Sequence, residues 1–198
     1  MTISQAGAKL MLRTFFQIFS RVLLLGTIAT VLQTTAECQL NSSASTVLLT
    51  GTLVEALTVV ALPPAVAFNL SAGGVSTGTP SVVVATTWIL GPSRTNVKVY
   101  GYFSTSTAAL TDGAGDNIPS ADVLGQVTTG SPATMTAFTQ TGPFGAAGAS
   151  LLLVSQAITS ANSTGTRSDT LNLEIQLSGT QLPAGIYTGT LRIQAQAL

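Results

Sequence analysis

The fold is decided by a stretch of seven residues, LNLEIQL at positions 171–177, in which aliphatic and polar side chains alternate. Successive side chains of a β-strand point to opposite faces, so the alternation places Leu171, Leu173, Ile175 and Leu177 on one face. One aliphatic and one polar face are typical of a strand in an antiparallel sheet with one buried side.

The same alternation recurs through the chain after Ser45. At the N-terminal side it runs through Val47, Leu49 and Leu53 and continues over residues 57–61 until Pro63, because proline cannot donate a ladder hydrogen bond. Further strands are predicted at 65–70, 81–90, 97–103, 123–127, 134–138, 151–158 and 187–195, with a Gly-rich loop at 71–80 and a turn at 91–94. About eight to ten short strands without a sustained helical period predict an all-β fold, a single antiparallel β-sandwich.

The N-terminal residues have the order of a secretory signal peptide. Lys9, Arg13 and Arg21 precede an apolar run at 22–32, and Thr34-Thr35-Ala36 follows it. The run is too short to cross about 30 Å of hydrocarbon as a helix. We therefore expect cleavage after residue 36, passage through the periplasm, and a secreted or cell-surface protein without stable membrane insertion.

This interpretation divides the chain into a signal peptide (1–36), a polar leader (37–45) and a β-sandwich domain (46–198). Three of the seven basic residues fall in the signal, which leaves four basic against seven acidic residues. So few scattered cations cannot neutralise phosphates, and nucleic acid is excluded as an expected partner. Low charge also gives little protection against strand association, which favours other surface subunits, or a second copy, as partners.

The residues for catalysis are sparse. The chain has no histidine, the usual base for a serine or cysteine nucleophile, and no cluster of Cys and His for zinc. Its carboxylates, among them Asp122, Asp169 and Glu174, are interpreted as turn and surface groups rather than an acid/base pair. We therefore expect no enzymatic activity. Cys38 is the single cysteine, which leaves lipidation, intermolecular pairing or an inert thiol open.

One loop could bind a cation. Asp112, Asp116 and Asn117 lie in a Gly-rich stretch, and carboxylate and amide oxygens suit Ca²⁺. An EF-hand loop that began at Asp112 would need an oxygen ligand at its third position and a glutamate at its twelfth. Here those positions hold Ala114 and Val123, so this loop is not an EF-hand. Asp and Asn beside Gly are also ordinary turn residues, so a weak Ca²⁺ site and a simple turn both remain open, and no other cofactor is expected.

Aromatic side chains provide a second candidate site. Tyr100 and Tyr102 share the strand face that carries Lys98, and Trp88 lies on the preceding strand. Aromatic rings with a polar tip suit a platform for a glycan or a protein ligand. The alternative is that these rings pack against a loop or a neighbouring subunit.

The last strand provides a resemblance. Residues 182–193, LPAGIYTGTLRI, resemble the closing strand of secreted spore-coat-U-like and archaic pilin-type domains of bacteria, and the opening TGTLV at 50–54 is loosely similar. The resemblance implies an immunoglobulin-like, pilin-like sandwich, and several members of that group form surface fibres by donor-strand exchange. Such pilins usually carry a disulfide near the N-terminus, where this chain has only Cys38.

Together these features predict a non-enzymatic structural or adhesive surface protein, a subunit of an extracellular fibre or coat. The alternative is a monomeric module that binds a glycan or protein ligand. For the subunit, Val47, Leu49 and Leu53 form a candidate self-association strand that inserts into a neighbour's groove lined by Leu191 and Ile193. Equally, that strand could pair within its own chain as the first strand of the sandwich.

Overall fold

The computed structural model describes residues 40–179 and 181–198. The chain forms two units, residues 1–50 and residues 51–198. Of the first unit only residues 40–50 are described, and they are exposed and form no strand. The predicted signal peptide and Cys38 lie outside the described residues.

All the described strands belong to the second unit. In chain order they are β1 (Ala56–Leu62), β2 (Ala67–Phe68), β3 (Val75–Thr79), β4 (Val82–Ile89), β5 (Asn96–Tyr102), β6 (Leu110–Thr111), β7 (Asn117–Ile118), β8 (Val123–Val127), β9 (Thr136–Ala137), β10 (Ser150–Ala157), β11 (Thr164–Gln176), β12 (Thr188–Gly189) and β13 (Arg192–Ala197). A single 3-10 turn, Ser120–Asp122, is the helical element of the described part of the chain.

The strands form two main sheets and one small sheet, all antiparallel. The first sheet has the order β1-β4-β11-β3-β2, with β8 also paired to β11 and β9 to β8; the second has the order β10-β5-β13. The small sheet is β12-β6-β7. The predicted all-β antiparallel fold is thereby confirmed, and its two main sheets are arranged like a β-sandwich.

A phenylalanine fills the space between the two main sheets. Phe138 is fully buried, and a Cβ built on Gly101 of β5 would come within 2.9 Å of its ring. A Cβ on Gly125 of β8 would come within 3.1 Å of the same ring. One glycine from each sheet therefore leaves room for the ring, which contacts Phe103 edge-on at 5.2 Å between centroids.

The alternation in 171–177 is confirmed, and β11 is longer than that pattern. Leu171, Leu173 and Ile175 are buried, and β11 begins earlier, at Thr164. In the added part the inward positions hold Gly165, Arg167 and Asp169, which carry no hydrophobic signal. The hydrophobic pattern therefore predicted only the C-terminal part of β11, from Leu171 onward.

Other predicted boundaries were wrong. The stretch 71–80 was predicted as a loop, but it contains β3, whose inward positions are Ser76 and Gly78 and so lack an apolar period. The first strand begins at Ala56 rather than in the run from Val47. The last predicted strand, 187–195, is divided into β12 and β13.

Candidate functional site

Two strand edges lie side by side without pairing. Among the described strands, β1 is hydrogen-bonded only to β4, and β13 only to β5. The two strands contact each other across the gap between the main sheets, and no ladder joins them. We call this junction the open seam. Each strand presents one unpaired row of backbone N–H and C=O groups there, which is the arrangement that accepts an added strand.

The seam widens into a cleft of about 920 Å³, lined mainly by apolar side chains, which we call the seam groove. One wall comes from residues 61–70, where Pro63-Pro64 interrupts the edge between β1 and β2, and the other from residues 185–193. Leu191 and Ile193, the residues expected to line a groove, lie in that second wall. Val82, Phe103 and Leu173 of the core form its floor.

Tyr187 is one of the polar residues in this wall, beside Thr188 and Thr190. Its hydroxyl donates to the backbone carbonyl of Pro183 at 3.0 Å. Partial loss of solvent raises the pKa of Tyr187, and the negative charges of Asp116 and Asp112 act in the same direction. The phenol therefore stays neutral, and the groove carries no charge at this position at physiological pH.

The chain before β1 has the opposite character. Val47, Leu49 and Leu53 are 79, 88 and 79% exposed, and residues 46–54 contain no charged side chain. Leu48 and Val54, on the alternate positions, are exposed as well. Residues 40–55 form no strand, so the expected alternative, a first strand within the same sandwich, is absent from the described structure. The contacts of Val47, Leu49 and Leu53 as a self-association strand remain a prediction.

A polar clasp holds the chain at the beginning of β1. Glu55 Oε1 accepts a hydrogen bond from the backbone N–H of Gly91 at 2.5 Å, and Arg94 Nη2 donates to Glu55 Oε2 at 2.9 Å. The hydrogen bond with Arg94 holds the pKa of Glu55 below its ordinary value, and the Gly91 N–H adds to this. The same pair raises the pKa of Arg94. We call these three residues the Glu55 clasp.

The predicted aromatic platform is partly covered. Phe144, from the loop before β10, stacks on Tyr102 at 5.8 Å and meets Tyr100 edge-on at 5.9 Å. The Tyr102 hydroxyl donates to Gln194 Oε1 at 3.0 Å. All three rings are half-buried. The structure thus brings Tyr100 and Tyr102 together and adds Phe144, which the alternation of a single strand could not identify.

Trp88 does not join this platform, which corrects the prediction. Its side chain is buried in a small cluster with Leu90, Val97 and Ile158. The indole N–H donates to the carbonyl of Asn162 at 2.9 Å. Trp88 lies on the inward side of β4, so its ring is a core group rather than a surface for a ligand.

The loop proposed for Ca²⁺ uses its main carboxylate internally. Asp112 Oδ1 accepts hydrogen bonds from the backbone N–H groups of Ala114, Gly115 and Asp116 at 2.8–3.1 Å. These bonds, that of Ala114 first, hold the pKa of Asp112 below its ordinary value. The Asn117 side-chain amide donates to the Gly115 carbonyl at 3.1 Å. Within residues 40–179 and 181–198, no group of three His, Cys, Asp or Glu residues could hold a metal ion. The turn interpretation therefore explains Asp112, Asp116 and Asn117.

A buried ion pair lies on β11, outside the lining of the seam groove. Arg167 donates to both oxygens of Asp169 at 2.7 Å, and Asp169 is 2% exposed. The Thr129 hydroxyl donates to Asp169 at 2.7 Å, while Arg167 also reaches Gln156 of β10 at 3.2 Å. Asp169 was expected to be a surface carboxylate; it is instead buried, bound by Thr129 of the loop after β8 and by Arg167, which in turn reaches β10 of the second sheet.

Comparison with known proteins found no relative: no family model, curated protein or solved structure matches this chain. Among the residues that the structure describes, no helix has the length and apolar character needed to cross a membrane.

Proposed function

We propose that this protein is a non-enzymatic structural subunit of an extracellular fibre or coat, in which residues 46–54 of one copy fill the seam groove of the next. One observation carries the proposal. A groove lined mainly by apolar side chains, which the unpaired edges of β1 and β13 reach at Ala61 and Ile193, occurs in a chain that also has an exposed, uncharged, apolar segment without a strand partner.

The backbone supports an added strand at this position. β1 and β13 each have one edge that pairs with no other described strand. Where Ala61 of β1 and Ile193 of β13 reach the groove, an inserted segment would pair with N–H and C=O groups that have no ladder partner among the described strands, and its main-chain hydrogen bonds would add to the affinity. The alternating residues Val47, Leu49 and Leu53 would then all point toward the groove floor, because side chains alternate along a strand.

The free energy gained by burying the three apolar side chains is large enough to support association of two copies. Complete burial of a Val or Leu side chain contributes about 1.5–3 kcal/mol. Three such residues, together with the backbone pairing, can offset an association cost of roughly 4–15 kcal/mol. No charged residue occurs in 46–54, so insertion requires no desolvation of a charge.

The sequence supports the location and the role. The predicted signal peptide favours export to the bacterial surface, and low charge favours close contact between copies. The likeness of residues 182–193 to pilin-type closing strands favours an immunoglobulin-like subunit; these residues form most of one groove wall.

The test compares two faces of the same segment. Val47→Ser, Leu49→Ser and Leu53→Ser together would abolish assembly of the purified protein, because the groove loses its apolar occupant. Leu48→Ser with Val54→Ser, on the alternate face, is the matched control and should assemble like the parent. Light scattering and electron microscopy measure assembly, and circular dichroism verifies the fold. Equal assembly by the triple variant would contradict the proposal.

A second function rests on the aromatic cluster of Tyr100, Tyr102 and Phe144. Three half-buried rings on the outer face of the second sheet could stack on a sugar, with Gln194 as a hydrogen-bonding neighbour. The protein would then act as a monomer that binds a glycan. Polysaccharide binding by a stable monomer, lost on Tyr102→Ala, would favour this function over the subunit.

A further inference from the structure

The Glu55 clasp and the seam groove lie at opposite ends of β1. Ala56, next to Glu55, pairs with Ile89 at the end of β4 beside the Gly91 turn. Ala61, which lines the groove, pairs with Val84. At about 3.3 Å per strand residue, the two levels are roughly 17 Å apart.

The intervening part of the seam is narrow. β1 and β13 contact each other there, and the groove lining begins only at Ala61 on the β1 side. A segment that reversed direction at Glu55 would use about five residues to pass this part. Leu53 would then remain beside the closed seam, and only the residues near Val47 and Leu49 could reach the groove of their own chain.

The Glu55 clasp opposes this reversal because it binds the chain at Glu55, the residue where the direction would change. Its carboxylate is bound both by the turn backbone, at Gly91, and by the Arg94 side chain. Gly91 permits this approach, because a Cβ at that position would lie 2.9 Å from Glu55 Oε1. The backbone at Glu55 is therefore tied to the turn between β4 and β5, at the end of the molecule away from the groove.

We infer that the Glu55 clasp is a regulatory device: it keeps residues 46–54 from turning back into the groove of their own chain and so leaves that groove to a second copy. The inference rests on the proposed function. Glu55 and Arg94 act here as positioning residues, because neither lines the groove.

A cross-linking experiment separates the two insertions. The full chain carries Cys38→Ser, Leu49→Cys and Leu191→Cys, and mild oxidation joins the two new cysteines wherever the segment enters a groove. A link within one chain gives a monomer of altered mobility on a denaturing gel, whereas links between chains give a ladder. Diluting the protein before oxidation identifies the intramolecular product, since its yield does not depend on concentration.

With the clasp intact we expect mainly the intermolecular ladder. Arg94→Ala should raise the ratio of intramolecular to intermolecular product about twofold to fivefold, the range of equilibrium change for an exposed ion pair. Glu55→Gln retains an acceptor for the Gly91 N–H and should give a smaller rise. Lys98→Ala removes a positive charge outside the clasp and should leave the ratio unchanged. Thermal unfolding of each variant verifies that the fold is intact.

Two results would overturn the inference, and they differ in what else they reject. If Arg94→Ala leaves the ratio of intramolecular to intermolecular product unchanged while the ladder is present, the clasp does not prevent insertion into the same chain. The proposed function is not affected by that result. The absence of any cross-link in the parent rejects insertion itself, and the proposed function falls with the inference.

Discussion

The two sides of this molecule contain similar side chains and differ in how they are closed. Away from the groove lining, Phe138, Leu151 and Leu171 of the core have no exposed surface. On the side of the open seam, Phe103 and Leu173 retain 4 and 6% exposure at the groove floor. The difference shows that apolar side chains alone do not exclude solvent from the space between two sheets.

The closed side has two features that the open side lacks. Phe138 fits between Gly101 and Gly125, and the Arg167–Asp169 pair links β11 to Gln156 of β10. Each feature reaches from one sheet to the other. At the seam groove the edges of β1 and β13 stay unpaired among the described strands. Three substitutions test this contrast, in order of decreasing expected effect on stability.

Phe138→Ala should have the largest effect. Removing a fully buried ring leaves a cavity between the sheets, and such changes cost about 3–5 kcal/mol of unfolding free energy. Urea unfolding followed by circular dichroism measures the loss. Phe144→Ala is the matched control, because that ring is half-buried on the outer face, and we expect a loss of about 1 kcal/mol. Equal losses would show that Phe138 does not close this side.

Asp169→Ala should follow. The change leaves the Arg167 guanidinium partly buried without its partner and removes the acceptor of the Thr129 hydroxyl. Breaking a buried pair costs roughly 3–5 kcal/mol, and the 27% exposure of Arg167 reduces the expectation to about 2–3 kcal/mol. Replacing both residues, Arg167→Leu with Asp169→Leu, should recover most of the stability in the same urea measurement. A double variant no better than the single one would indicate that packing, not the unpaired charge, determines the loss.

Leu191→Ala should have the smallest effect on the unassembled chain. Its side chain is half-buried in the groove wall and packs incompletely there, so we expect a loss of about 1 kcal/mol or less. Assembly should weaken much more, because the wall then contacts the inserted segment less. Comparing urea unfolding with light scattering on one preparation tests this separation. A stability loss as large as that of Phe138→Ala would mean that the open side is closed after all.

Much of the fold followed from the sequence because exposed sheet faces produce a period of two. The strands around Trp88 and Val99 were predicted nearly to their ends. Strands whose inward residues are small or polar were missed, as in β3 with Ser76 and Gly78. The short strands β6 and β7 were also missed, since two residues cannot show a period.

The candidate site was only partly predictable for a related reason. Alternation identified Val47, Leu49 and Leu53 as an apolar face and Leu191 and Ile193 as a groove face. In the Glu55 clasp, Gly91 and Arg94 lie 36 and 39 positions after Glu55 in the sequence. A pattern of neighbouring residues cannot predict a contact over that separation. Phe144 contacts Tyr100 and Tyr102 because of the path of a long loop, which no alternation records.

The sequence by itself determined the strand character of this protein, its scarcity of charge and the apolar alternation of 46–54, because these depend on neighbouring residues. Tertiary structure alone decided which edges remain unpaired, where Phe138 seals the sheets and where the seam groove opens. Those features depend on the pairing of strands that are distant in sequence. A residue pattern records the faces of a strand but not the identity of its neighbours, since backbone hydrogen bonds between strands are the same for every side chain.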